Sequence, residues 1–122
     1  MSNQQEQRLQ EQFATWLDSI GVLHCASMAG VNLPMRWAVK MKRKGYRRGH
    51  PDHFIYEPRG IYHGMAIELK VENTKKDENQ DKWRDELNKR KYFYVRVPGK
   101  MNFWEAREFL ENEVNQYLSI KE

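Results

Sequence analysis

Apolar residues recur at helical spacing in the opening stretch of the chain. Leu9, Phe13, Trp16, Leu17 and Ile20 fall on one stripe and Gly21 is a natural stop, which predicts a helix from about residue 4 to Ile20. Val22 to Met28 reads as a short strand. A second helix is predicted from Pro34 to Lys44, because proline suits a first helical position, Trp37, Ala38 and Met41 are spaced as a packing face, and Gly45 follows. Two strands come next, Asp52 to Glu57 and Met65 to Val71, joined by a turn around Pro58, Arg59 and Gly60, so they form a hairpin. The spacing of Trp83 and Leu87 predicts a third helix from Asp77 to about Lys89. A strand from Tyr92 to Val97, a Pro98-Gly99 turn and a last helix carrying Phe103, Ala106, Leu110, Val114 and Leu118 complete the chain. The order is α-β-α-β-β-α-β-α, and the α/β arrangement that buries these faces most simply is a mixed β-sheet flanked by helices.

Composition narrows the class. A length of 122 residues suits one domain spanning 1–122, and 39% hydrophobic with 31% charged residues is the balance of a folded protein rather than a disordered one. The lone cysteine, Cys25, can form no internal disulfide, which fits a reducing compartment; it is expected to be a small buried apolar residue. The polar, glutamine-rich stretch from Met1 to Gln12 has no hydrophobic signal region, and no apolar run approaches the length of a membrane helix. A cytoplasmic protein without membrane partners is therefore expected. Net charge is only +4, but it is unevenly placed: Lys40, Lys42, Arg43, Lys44, Arg47 and Arg48 lie in a run with no acidic residue, and Arg36 precedes Lys40 by one helical turn. Such a run suits a polyanion, although by itself it also fits a solvated face.

The run leads directly into Gly49-His50-Pro51-Asp52, and sixteen residues after Asp52 comes Glu68-Leu69-Lys70. Side chains alternate along a strand, so Glu68 and Lys70 point to one side. If the hairpin is symmetric about Gly60, Asp52 sits opposite Glu68, with Phe54, Tyr56 and Ala66 on the same face, while Ile55, Ile67 and Leu69 fill the other. Two adjacent carboxylates repel each other and call for a cation, and hard oxygen donors with room for water and phosphate suit Mg²⁺ or Mn²⁺. A lysine beside such an ion can orient water or offset negative charge, which is the chemistry of phosphodiester hydrolysis. Taken alone, the triplet fits a turn-capping Asp52 and a surface Glu68–Lys70 ion pair equally well.

The wider pattern settles the choice. Asp52 followed by Glu-x-Lys resembles the PD-(D/E)xK restriction-endonuclease-like superfamily. The ordered set Glu6-x-x-Leu9-Gln10, Arg36, Ala38, Gly45, Gly49-His50-Pro51-Asp52, Ile67-Glu68-Leu69-Lys70, Gln80-x-x-Trp83 and a closing valine-rich strand is similar to its VRR-NUC family over nearly the whole chain. The resemblance implies a restriction-endonuclease-like core and Mg²⁺- or Mn²⁺-dependent DNA cleavage. It also implies that Asp52, Glu68 and the carbonyl of Leu69 hold metal, with Lys70 assisting the attacking water. Small stand-alone members, commonly of phage or bacteria, resemble homodimers that cut branched DNA such as four-way junctions.

Two further residues are candidates for the site. Asp77-x-x-Gln80 has the form of a capping box, yet Gln80 shares a helical face with Trp83 and Leu87, toward the protein, where the family places it near metal-bound water. On the opening helix Glu6 falls within roughly 40° of the apolar stripe while Glu11 lies nearly opposite. His24, His50, His53 and His63 have no zinc spacing, although His50 and His53 could reach phosphate. A non-catalytic DNA-binding module and a sequence-specific restriction-type endonuclease are the alternatives.

Overall fold

The computed structural model describes residues 4–27 and 34–122. Met28, the expected end of the first strand, lies outside them. The elements are α1 (Gln4–Ser19), β1 (His24–Ala26), α2 (Met35–Arg43), β2 (His53–Ile55), β3 (Met65–Glu68), α3 (Glu78–Lys89), β4 (Phe93–Arg96) and α4 (Phe103–Leu118), the order predicted from periodicity. They build a four-stranded mixed sheet in the order β1-β2-β3-β4, antiparallel except for β3 and β4. The parallel pair needs a crossover, and α3 supplies it.

One face of the sheet is covered by α1 and α4. Leu9, Phe13 and Leu17 from α1 and Phe103, Ala106, Leu110, Val114 and Tyr117 from α4 close over Ile55, Met65, Ile67, Leu69, Val71, Val95 and Val97. Ile20, expected on the α1 stripe, is beyond the helix end and exposed, as the chain turns away at Gly21 with φ +75°. Capping sets the helix starts. Asn102 and Glu105 form a reciprocal capping box at α4, and Asp77 accepts from the backbone N–H groups of Asn79 and Gln80 at α3.

The β2–β3 register pairs His53 with Ile67, Phe54 with Ala66 and Ile55 with Met65. It is the register symmetric about Gly60, so Ile55 and Ile67 point into the core and the opposite parity points away from it.

Four expectations fail here. The helix α2 has no buried residue: Trp37 is 46% exposed, Val39 and Met35 are exposed too, and only Met41 is partly covered, so Trp37, Ala38 and Met41 do not form a packing face. Pro34 stands at the N-cap rather than in the first turn. Cys25 is exposed, because β1 is an edge strand and Cys25 faces away from the α1–α4 side. His53, expected to reach phosphate, is buried on the core side at 1% exposure, edge-on to Phe13 and stacked on His24.

His53 Nε2 is 2.8 Å from His24 Nδ1, and His24 Nε2 is 2.6 Å from Asp18 Oδ1. Burial is the main force that pushes the His53 pKa down to about 4; the neighbouring His24 adds to it and Asp18 opposes it. An unfolded histidine titrates near 6.5. As pH falls the unfolded chain therefore takes up this proton first, and the stability due to neutral His53 is complete above about pH 6.5 and lost as pH drops toward 4. Urea unfolding at pH 7 and pH 4.5 should show wild type losing about 2 kcal/mol more than His53→Phe over that interval. Equal losses in the two proteins would refute this account.

Candidate active site

The sheet face opposite the core carries the polar groups. Asp52 immediately precedes β2; its backbone N–H donates to the Ile67 carbonyl and its Oδ2 accepts from the Leu69 N–H at 2.8 Å. Those two bonds hold the Asp52 carboxylate beside Glu68, the partner expected from the register. Glu68 is 1% exposed and Lys70 8%, although a surface strand would leave both in water. Burial, then the neighbouring Asp52 charge, pushes the Glu68 carboxyl up to about 9, while Arg96 and Lys70 oppose the rise. Burial also raises Asp52, against the Leu69 N–H that favours its charged form. Each carboxylate thus disfavours the charged form of the other, beyond what burial does alone.

The surroundings are built from distant segments. Gln80, in the first turn of α3, donates from Nε2 to Glu68 Oε2 at 3.0 Å. Its side chain does not close a capping box; Asp77 caps the helix and the carboxamide goes to the sheet. Glu68 Oε1 and Gln80 Oε1 are buried with no hydrogen-bond partner. Glu6 is 6% exposed and lies within electrostatic reach of Asp52, but its Oε1 is engaged by the Val71 N–H at 3.3 Å and by Asn73 Nδ2 at 3.1 Å. It braces the end of the strand that carries Lys70. Among the described residues no three His, Cys, Asp or Glu side chains converge, so the carboxylates at hand for a cation are Asp52 and Glu68.

The cationic segment meets this site through α3. Trp83 Nε1 donates to the Arg48 carbonyl at 2.8 Å, and Gly49 lies so close to α3 that a Cβ there would stand 2.5 Å from the Asn79 carbonyl carbon. His50 packs edge-on to Trp83 and its Nδ1 is 2.9 Å from the Pro51 carbonyl. Burial raises the Tyr46 phenol; Arg48 opposes this, and the charges of Asp52, Glu68 and Asp77 add to it, so Tyr46 belongs to the rim of the acidic pair. Arg47 and Arg48 are exposed beside it, as are Arg36, Lys40, Lys42, Arg43 and Lys44 on and after α2.

Some contributors were missed by sequence reasoning. Asn73 reaches Glu6 only because Glu72 adopts a left-handed φ of 46° and turns the chain, which no local pattern signals. Arg96 and Tyr94 lie on the site face of β4, with Arg96 directly across from Glu68. The parity of β4 pointed to them, since Phe93, Val95 and Val97 occupy the core side.

An α/β chain with this strand order and an acidic pair at the β2–β3 hairpin has the restriction-endonuclease-like fold. Among solved structures it is similar to one described as a "VRR_NUC domain protein", with a TM-score of 0.76 and 24% sequence identity, over 100% of this chain and 94% of that one. No family model matches the sequence, and no curated protein does. The fold is thus that of a VRR_NUC domain.

Gly49 supplies a direct check on how the basic segment is seated. It needs both a positive φ of 82° and the absence of a Cβ. Gly49→Ala should destabilise the protein by more than about 1 kcal/mol and separate Trp83 from Arg48. A lower unfolding midpoint with a shifted indole N–H resonance for Trp83 is the expected result; an unchanged spectrum would show that residues 46–50 are not seated on α3.

Proposed function

We propose that the chain is a Mg²⁺- or Mn²⁺-dependent endonuclease that hydrolyses DNA phosphodiester bonds. The observation that carries this reading is the opposed pair of half-buried Asp52 and buried Glu68, with Glu68 Oε1 unpartnered and the Glu68 carboxyl raised to about 9. A protein has little reason to bury two repelling carboxylates side by side unless something cationic neutralises them. Two carboxylates and a backbone carbonyl, that of Leu69, are hard oxygen donors and fit such an ion. When bound, the ion supplies Lewis acidity toward a phosphate oxygen and toward water.

The chain's own residues divide the remaining tasks. Asp52 and Glu68 hold the ion, and Gln80 fixes the Glu68 carboxylate by taking Oε2, which leaves Oε1 open. Lys70 forms no ion pair with any described residue, so its ammonium is available to orient water or to balance charge on the phosphate. Arg47 and Arg48 at the rim, continued by Lys44, Arg43, Lys42, Lys40 and Arg36, grip the phosphate backbone. Branched DNA, four-way junctions included, is the substrate class this reading favours, and a homodimer would offer two such sites to symmetric DNA. No helix among the described residues is long and apolar enough to cross a membrane.

Duplex, flap, single-stranded and four-way-junction DNA incubated with Mg²⁺, Mn²⁺ or EDTA test the proposal. Cleavage should need the metal and should be fastest on a branched substrate. DNA binding without metal-dependent cleavage would leave a binding module, and discrete fragments from linear duplex would indicate a restriction-type enzyme.

Two sets of variants separate chemistry from binding. Lys70→Ala should lose about 10²-fold or more in kcat with DNA affinity nearly intact. The double change Arg47→Ala/Arg48→Ala should weaken binding and lower the slope of log affinity against log salt by about 2. Undiminished cleavage by the Lys70 variant would remove the proposed mechanism.

A further inference from the structure

Arg96 is a costly residue for a structural role. Its Nη1 bonds Asp81 Oδ1 at 2.8 Å and its Nε bonds the Tyr94 hydroxyl at 3.1 Å, while its Nη2 is buried with no hydrogen-bond partner. Leaving a guanidinium donor unsatisfied costs free energy that an apolar pair at the same junction would not incur. The position makes that cost intelligible. Arg96 is directly across from Glu68 in the parallel β3–β4 register, and Asp81 is the residue after Gln80. One chain of contacts therefore closes on itself: β4 through Arg96 to Asp81 on α3, one residue back to Gln80, and from Gln80 Nε2 to Glu68 Oε2 on β3.

The alternatives on α3 are weaker anchors. Arg84 approaches Asp81 only to 3.5 Å and is itself on α3, so it cannot tie that helix to the sheet. Trp83 fastens α3 to the Arg48 segment, not to β4. The Arg96–Asp81 pair is thus the polar tie between the first turns of α3 and the strand beside Glu68.

We infer that Arg96 is a positioning residue: by holding Asp81 it sets the Gln80 carboxamide against Glu68 and leaves Glu68 Oε1 open. The inference rests on the nuclease reading for its effect on rate, but not for its effect on structure.

The variants are Arg96→Met, Arg96→Lys and Asp81→Asn, compared with wild type by the side-chain amide resonances of Gln80, assigned with Gln80→Ala, and by cleavage kinetics. In Arg96→Met the two Gln80 amide protons should collapse toward the shifts of a free carboxamide, with kcat falling about tenfold and KM for DNA nearly unchanged. Arg96→Lys should retain most of both signals, and Asp81→Asn should fall between. If Arg96→Met does not fold, Asp81→Asn carries the same test, since it leaves the partly buried guanidinium in place.

A Gln80 signal unchanged in Arg96→Met and Asp81→Asn would overturn the inference. So would a rise in KM at constant kcat, which would make Arg96 a DNA contact. If wild type cuts no DNA, the nuclease reading fails while the Gln80 resonances still decide the positioning role.

Discussion

The pairing of β2 with β3 is the constraint on which the rest depends. Side chains on a strand alternate, so once Ile55, Met65 and Ile67 are committed to the α1–α4 core, Asp52, Glu68 and Lys70 have no choice but the other face. A slip of β3 by one residue would drive Glu68 into a layer of Leu9, Leu17 and Leu110, where an unpaired charge costs several kcal/mol or more. The same register brings the Leu69 N–H onto Asp52 Oδ2, and that bond holds the carboxylate next to Glu68. Hydrophobic burial thus places the acidic pair, although no apolar side chain belongs to it.

The price of that placement is visible in the groups around it. Glu68 and Gln80 each keep a buried oxygen without a partner, Arg96 keeps a buried donor, and Glu72 is held at a left-handed φ that favours glycine. Each of these departs from what a chain selected for stability alone would adopt. Two departures of the same kind lie away from the acidic pair: His53 Nδ1 is buried without a partner on the core side, and Lys91 has a φ of 65°. Elsewhere local preference and tertiary packing agree: α3 and α4 have good N-caps, and the apolar stripe of α1 meets that of α4.

That contrast also explains what the amino-acid sequence made legible. Helical periodicity and strand alternation report burial on one side of an element, so element order, the hairpin register and the shared face of Asp52, Glu68 and Lys70 could all be read locally. Gln80 and Glu6 were legible for the same reason, since each shares a helical face with core residues. What depends on a non-local contact was not. Trp37 and Met41 have the spacing of a packing face, but nothing in that spacing says whether another element comes to cover it, and no described element buries it. His53 looks like a polar residue beside a candidate catalytic aspartate, yet its odd-numbered position puts it in the core with Ile55, a consequence of parity that its chemical character obscured. Asn73 joins the site through a left-handed turn that leaves no trace in spacing, whereas the alternation of β4 marked the face of Arg96 but not, across a parallel crossover, its neighbour Glu68.

The division of charge follows from the same geometry. Glu68 is buried and Asp52 half-buried on the sheet, whereas the cations stand exposed on α2 and the segment after it. Exposed charges act through solvent over a Debye length of about 8 Å at physiological salt, far enough to draw in a polyanion before any contact forms. Buried carboxylates would repel that polyanion at contact unless a cation sat between them. A chain whose net charge is only +4 can therefore attract phosphate and still present it with an acidic pocket, because the two signs are separated by depth as well as by position. Gly49 is where the two regimes meet: the backbone that carries Arg47 and Arg48 passes against α3 at a distance only glycine permits, and three residues later it becomes the aspartate of the acidic pair.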